Sequence, residues 1–173
     1  ESSMELIRSK LTVDIDEKEL EDALTVIGGR LGDLNGFLNR VNTGQSPKEA
    51  LNAMVTVTKE EIKNVLFEHK KIKQDYTPLQ LWKILSLVAE KKEISYDYLL
   101  FTIFKGDDKA LRSLVQSKLF AMREMESSSD VFSACSPIIQ RAFEELYRDS
   151  LIRPGMDLNA ARAAYSSEES LLA

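Results

Sequence analysis

The chain is poor in the residues that most often carry chemistry or crosslinks: 173 residues contain one cysteine, one histidine and one tryptophan. A lone Cys135 excludes an intrachain disulfide framework and a cysteine-based metal site. His69 alone leaves histidine-pair metal sites and serine–histidine catalysis without their parts. No Gly-x-x-x-x-Gly-Lys-Ser/Thr phosphate loop occurs in the chain. Seven glycines and four prolines fall mostly between periodic segments, so punctuation is sparse and the long segments favour helix. No apolar run approaches the roughly 20 residues that span a bilayer. The opening Glu1-Ser2-Ser3 has neither the charged start nor the apolar middle of a signal peptide; beginning without methionine, the chain reads as an excised piece of a longer protein. Basic residues are also in deficit, giving a net charge of −5. That argues against general nucleic-acid binding, which depends on cations that neutralise phosphates and release counterions.

What is present suits one domain or two small ones with a substantial core: 43% hydrophobic and 29% charged residues are ordinary for a soluble fold. Residues 2–11 predict a short helix. Asp14 or Asp16 caps a second, whose Leu20, Ala23, Leu24 and Ile27 recur at helical spacing until Gly28-Gly29. Leu31, Leu34, Phe37, Leu38 and Val41 make the apolar stripe of a third. Gly32 and Gly36 sit within it at a cost of about 1 kcal/mol each relative to alanine, a cost that close backbone packing would offset. Ser46-Pro47-Lys48-Glu49 is a capping box with proline at the first helical position. It starts a helix that reaches about His69, with a break expected at the β-branched run Val55–Thr58. Lys70–Asp75 is polar and reads as a linker.

The stretch Gly28–Leu51 organises this first half. Two adjacent glycines end a helix in a left-handed turn and let backbone approach a neighbour. If the next helix starts near Arg30, its guanidinium lies beside free N–H groups at the positive helix end, a favourable place for phosphate. The plain structural alternative is an ion pair with Asp33 one turn on, worth about 0.2–0.5 kcal/mol. Arg40 is on the same helix but about 15 Å further along its axis, so one phosphate cannot be held by both. His69 sits among lysines and reads as a surface residue. The pairs Glu60-Glu61, Glu144-Glu145 and Glu168-Glu169 point in different directions on their helices, so no catalytic residue is assigned.

The second half reads as a winged helix. Thr77-Pro78-Leu79-Gln80 is another capping box, followed by Leu81, Trp82, Leu85 and Val88 as a buried side. Ser95 caps a short helix through Phe104, and a third helix spans 108–117. Phe120–Met125 and Val131–Cys135 form a hairpin, the wing, with Cys135 a packed thiol. Ser136-Pro137 starts a helix ending near Asp149. Arg153-Pro154-Gly155 leads to a last short helix from Asp157, and 166–173 reads as frayed. The third helix of a winged helix can enter the major groove, where Lys109, Arg112, Gln116 and Ser113 would reach outward. Asp107, Asp108 and the acidic wing residues Glu124, Glu126 and Asp130 oppose duplex DNA there. Tyr96, Tyr98, Phe101, Phe104 and Phe120 are read mostly as core rather than as stacking platforms.

Gly28-Gly29-Arg30 with Asp33-Leu34, the helix end Arg40-Val41 to Gly44, and Ser46-Pro47 to Ala50 resemble the lid region of the mitochondrial escape protein family. Tyr96–Leu100, Phe104-Lys105-Gly106, and Ala142-Phe143 to Leu146 with Asp149 resemble that family's C-terminal part. The resemblance runs from about Asp14 to Asp157. With the residue patterns above, the reading is a mainly α fold: a helical lid over 1–70, of AAA+ type by the resemblance, a linker over 71–77, a winged-helix domain with a short β-hairpin over 78–150, and a short helix and tail over 151–173. It implies a parent in the mitochondrial inner membrane with an RNA-recognition-type domain, a membrane span and a P-loop core ahead of this piece, which would face the intermembrane space. ATP would belong to the parent alone, and this fragment would not hydrolyse it. The upstream P-loop core is the implied partner, and a homo-oligomer is compatible with it. The resemblance makes Arg30, with Gly28 and Gly29, a nucleotide-sensing element in a protein of mitochondrial DNA maintenance and escape. The alternative kept beside it is a winged-helix interaction module, binding protein or nucleic acid with no ATP role.

Overall fold

The computed structural model describes residues 2–67, 75–126 and 129–148. The expected turn at Arg153-Pro154-Gly155, the helix from Asp157, the frayed tail, His69 and most of the linker lie outside these residues. Among them, no helix is long and apolar enough to cross a membrane, and no group of three or more His, Cys, Asp or Glu is placed to hold a metal.

Four helices come first: α1 (Ser3–Lys10), α2 (Glu17–Ile27), α3 (Leu31–Asn42) and α4 (Pro47–Phe67). Their starts are chemical. Ser2 and Glu5 form a capping box on α1. Asp16 accepts the Glu19 N–H at 3.0 Å and so is the cap of α2. Ser46 and Glu49 exchange bonds of 2.9 and 3.2 Å at the head of α4. The break expected at Val55–Thr58 does not occur, and α4 runs through it. Thr56 and Thr58 turn their hydroxyls back onto the carbonyls of Asn52 and Met54, which satisfies them within the helix.

Beyond Tyr76 the order is α5 (Pro78–Lys91), β1 (Glu93–Ser95), α6 (Tyr96–Tyr98) continuing into a π-helical turn (Leu99–Ile103), α7 (Asp108–Gln116), β2 (Phe120–Arg123), β3 (Val131–Ala134) and α8 (Pro137–Arg148). The Thr77 capping box is present, with bonds of 2.8 and 3.2 Å. The hairpin forms at the expected place, slightly shorter, with Phe120 opposite Ala134 and Arg123 opposite Val131. A third strand was not expected: β1 pairs antiparallel with β3, giving the sheet order β1-β3-β2. The fold is thus mainly helical with a small three-stranded antiparallel sheet.

A continuous cluster of buried side chains runs from Ile7 to Leu146. Helix α8 packs against α2, α4 and α5 and meets β3. Its Phe143, fully buried, lies 5.3 Å between ring centroids from Phe120. The Glu145 carboxylate pairs with Lys59 of α4 at 3.4 Å, and Gln140 Nε2 donates to the Val88 carbonyl of α5 at 3.1 Å. Helix α8 therefore contacts elements on both sides of residues 71–77.

Candidate functional site

Helix α2 ends at Gly28, which adopts φ 76° and ψ −160°, a region open in practice only to glycine. A Cβ there would lie 2.8 Å from Pro137 Cγ at the head of α8. The neighbour this glycine lets backbone approach is thus Pro137. Gly29 has room for a side chain, its nearest non-local atom being Ser3 Oγ at 3.7 Å. The close backbone packing expected for Gly32 and Gly36 is not what the structure has. A Cβ on Gly32 meets nothing within 4 Å, and one on Gly36 makes an ordinary contact with Met54.

Arg30 is the N-cap residue of α3 but gives no side-chain hydrogen bond to it. A guanidinium has donors only, so it cannot cap N–H groups, and the first turn of α3 has no side-chain acceptor at this position. The side chain is 48% exposed, and its Nε lies 4.0 Å from Asp33 Oδ2. That is an ion contact at its outer limit and too long for a hydrogen bond. Asp33 Oδ2 is buried and has no hydrogen-bond partner among the described residues.

Arg30 and Asp33 line a cavity of about 310 Å³ together with Thr58 and Glu61 of α4, Lys118 of the α7–β2 turn and Ser136 before α8. The first and second halves of the chain meet there. Sequence reading missed Lys118. Its backbone is left-handed, φ 63°, a conformation that nothing about a lysine announces. The cavity carries two cations and two carboxylates, so it is polar and not uniformly basic. Arg40 lies in the last turn of α3, where a cation suits the helix dipole.

On α7, the residues proposed to reach outward are differently engaged. Arg112 donates from Nε to Asp108 Oδ2 at 2.7 Å, and its guanidinium lies over the Tyr96 ring, 5.8 Å from the centroid. Lys109 contacts Asp75 at 3.2 Å while remaining largely exposed. Gln116 is exposed at the helix end. Tyr96 donates its hydroxyl proton to Asp108 Oδ1. Burial first, then that bond, pushes the Tyr96 phenol up to about 12. The Tyr96 and Arg112 donors together hold the Asp108 carboxyl below its usual range. Among the aromatics read as core, Tyr96, Phe104 and Phe120 are buried, but Tyr98 and Phe101 are exposed. Phe101 lies within the π-helical turn, whose wider winding changes which residues face inward; Tyr98 precedes it, on α6.

Comparison with known proteins places the chain in context. The family model described as RNA12 protein matches residues 2–173. The Mitochondrial escape protein 2 homolog of Dictyostelium discoideum is 30% identical over 167 residues, 91% of this chain and 19% of that protein. Mitochondrial escape protein 2 of Coccidioides immitis is 32% identical over 143 residues, covering 80% of this chain and 17% of the relative. The Neurospora crassa protein of the same name is 30% identical over 147 residues, 82% and 17% respectively. The chain thus spans less than a fifth of the length of these curated relatives. No solved structure matches it.

Proposed function

The chain belongs to the RNA12 protein family, and on that premise we propose that it is the C-terminal regulatory and assembly part of a mitochondrial AAA+-like protein. In this reading residues 1–70 form a helical lid and 78–150 a winged helix, with the upstream P-loop core of the same protein as partner. Names of relatives as mitochondrial escape proteins support the compartment. The order helix, strand, helix, helix, strand, strand, with β1-β3-β2 pairing, supports the winged helix. A place in the inner membrane facing the intermembrane space, and a role in mitochondrial DNA maintenance and escape, follow from the family reading alone.

One observation carries the functional reading: Arg30 stands half-exposed at the uncapped start of α3 and at the edge of a polar cavity. ATP bound by the parent would supply the phosphoryl group and its negative charge. Arg30 would meet that charge, with the first-turn N–H groups of α3 beside it and Lys118 also lining the cavity. A guanidinium placed where charge develops in phosphoryl transfer stabilises it. Gly28 then acts indirectly, by fixing α2 against Pro137 and so the start of α3.

In the full-length protein, Arg30→Ala is expected to lower nucleotide-dependent activity or assembly by about tenfold or more, the scale of a lost charge-assisted hydrogen bond, with circular dichroism unchanged. Unchanged activity and assembly would reject the sensing role. The rival reading, an interaction module without ATP chemistry, is favoured by exposed Lys109. Strong binding of the chain to nucleic acid that weakens steeply between two salt concentrations would favour it.

A further inference from the structure

The contact that holds Arg30 is one it can give up. Among the described residues, Asp33 is the single side chain in ion contact with it, at 4.0 Å between Nε and Oδ2, and neither side chain has another hydrogen-bond or ion-pair partner there. A guanidinium is made of donors, and here none of them is spent. At 4.0 Å the attraction is electrostatic only, without the hydrogen bond that makes an arginine–carboxylate pair strong. Asp33 is the more buried of the two, and its Oδ2 lies out of solvent with no donor. A buried acceptor left in that state costs stability, so the loose pair is not explained by what it contributes to the fold.

Both residues line the cavity, with Glu61 and Lys118. Asp33 therefore opposes an anion in that cavity twice: by its own negative charge, and by attracting the guanidinium that the anion would use. Glu61 opposes it only once, because it lines the same cavity and makes no ion pair with Arg30. Phosphate oxygens that accept guanidinium donors at hydrogen-bond distance make the stronger pair. They win Arg30 from a carboxylate that holds it by charge alone.

We infer that Asp33 is a counterion latch on Arg30, a positioning residue that sets how readily the guanidinium is released to a phosphate. This rests on the reading of Arg30 as the residue that meets ATP, and it assigns the regulation of that site. Without ATP, Arg30 stays against Asp33. The terminal phosphate draws it away, and when that phosphate leaves, the carboxylate takes it back. The latch makes Arg30 answer to a strong anionic acceptor and not to a weak one, and it shortens the hold on the phosphate that has been bound.

The test is the affinity of the full-length protein for ATP and for ADP, with circular dichroism recorded on each variant. Asp33→Asn, which keeps the shape of the side chain, and Asp33→Ala should each raise ATP affinity about two- to fivefold, the scale of a half-exposed ion pair, and leave ADP affinity unchanged. Glu61→Gln removes the same charge from the cavity without touching the latch and should give a smaller gain. In an Arg30→Ala background the gain from Asp33→Asn should shrink to that of Glu61→Gln. A gain undiminished without Arg30, or matched by Glu61→Gln, is the effect of cavity charge alone and overturns the latch. So does ATP affinity unchanged or lowered in both Asp33 variants while Arg30→Ala still weakens ATP, a result that leaves the sensing role of Arg30 standing. ATP affinity unmoved by Arg30→Ala rejects that role, and the latch with it.

Discussion

Gly28 and Arg30 stand two residues apart and answer different demands. Gly28 is fixed by backbone conformation and by Pro137, so Gly28→Ala is expected to destabilise the chain by roughly 1–3 kcal/mol, read as a lower denaturant midpoint. Gly36→Ala, whose Cβ would make only an ordinary contact with Met54, should be neutral or stabilising by up to about 1 kcal/mol. Equal effects at both positions would remove the distinction. Arg30 has no comparable packing role and stands half-exposed at the uncapped start of α3. Tyr96 and Asp108 supply a pH test. The phenol's folded value of about 12 lies above the ordinary 10.0, so the folded state holds this proton more tightly. Its stabilising contribution is complete below 10 and lost as pH rises through 12. Asp108 acts oppositely: its carboxyl is held below the ordinary 3.8, so its contribution exists above that value and disappears as pH falls through the lowered one. Tyr96→Phe should abolish the high-pH step in an NMR titration of tyrosine rings. A Tyr96 phenol titrating at its ordinary value would contradict the buried bond to Asp108.

At the scale of the element, helix starts are legible in the sequence and helix ends are less so. Asp16, Ser46, Thr77 and Ser95 announce their helices through oxygen acceptors at fixed offsets from the first turn. The ends after α5, the π-helical turn and α7 instead carry Lys92, Lys105 and Lys118, all with positive φ, where a glycine would have been a readable stop. Lys92, at φ 65° and ψ −46°, lies outside the left-handed helical region that a side chain tolerates. Lys92→Gly is expected to raise stability by about 0.5–1 kcal/mol, measured by thermal unfolding, and a loss of stability would mean that the Lys92 side chain contributes a contact of its own. Strand β1 was hidden for a related reason. Glu93-Ile94-Ser95 is too short to show alternation and becomes a strand only because β3 lies beside it. The π-helical turn likewise departs from the 3.6-residue period, which is why Phe101 reads as core and emerges outside.

At the scale of the molecule, composition and periodicity give the mainly helical class and the hairpin, and the motif at Gly28–Arg30 points to the family. The cavity that joins Arg30 to Lys118 could not be read, because its walls come from segments nearly ninety residues apart in sequence. Helix α8 closes that distance by packing on α2 and α4 as well as α5. The chain is accordingly expected to unfold in one transition. Phe143→Ala should cost about 3–5 kcal/mol and lower the Trp82 fluorescence and far-ultraviolet dichroism midpoints together. Separate midpoints would mean that the first four helices and the sheet-bearing part fold as independent units.

The most direct measurement is the affinity of the full-length protein for ATP and for ADP, with and without Arg30→Ala. A guanidinium that meets the terminal phosphate predicts that ATP affinity falls by about tenfold or more, the scale of a charge-assisted hydrogen bond, while ADP affinity holds. Equal losses for both nucleotides, or no loss for either, would contradict it.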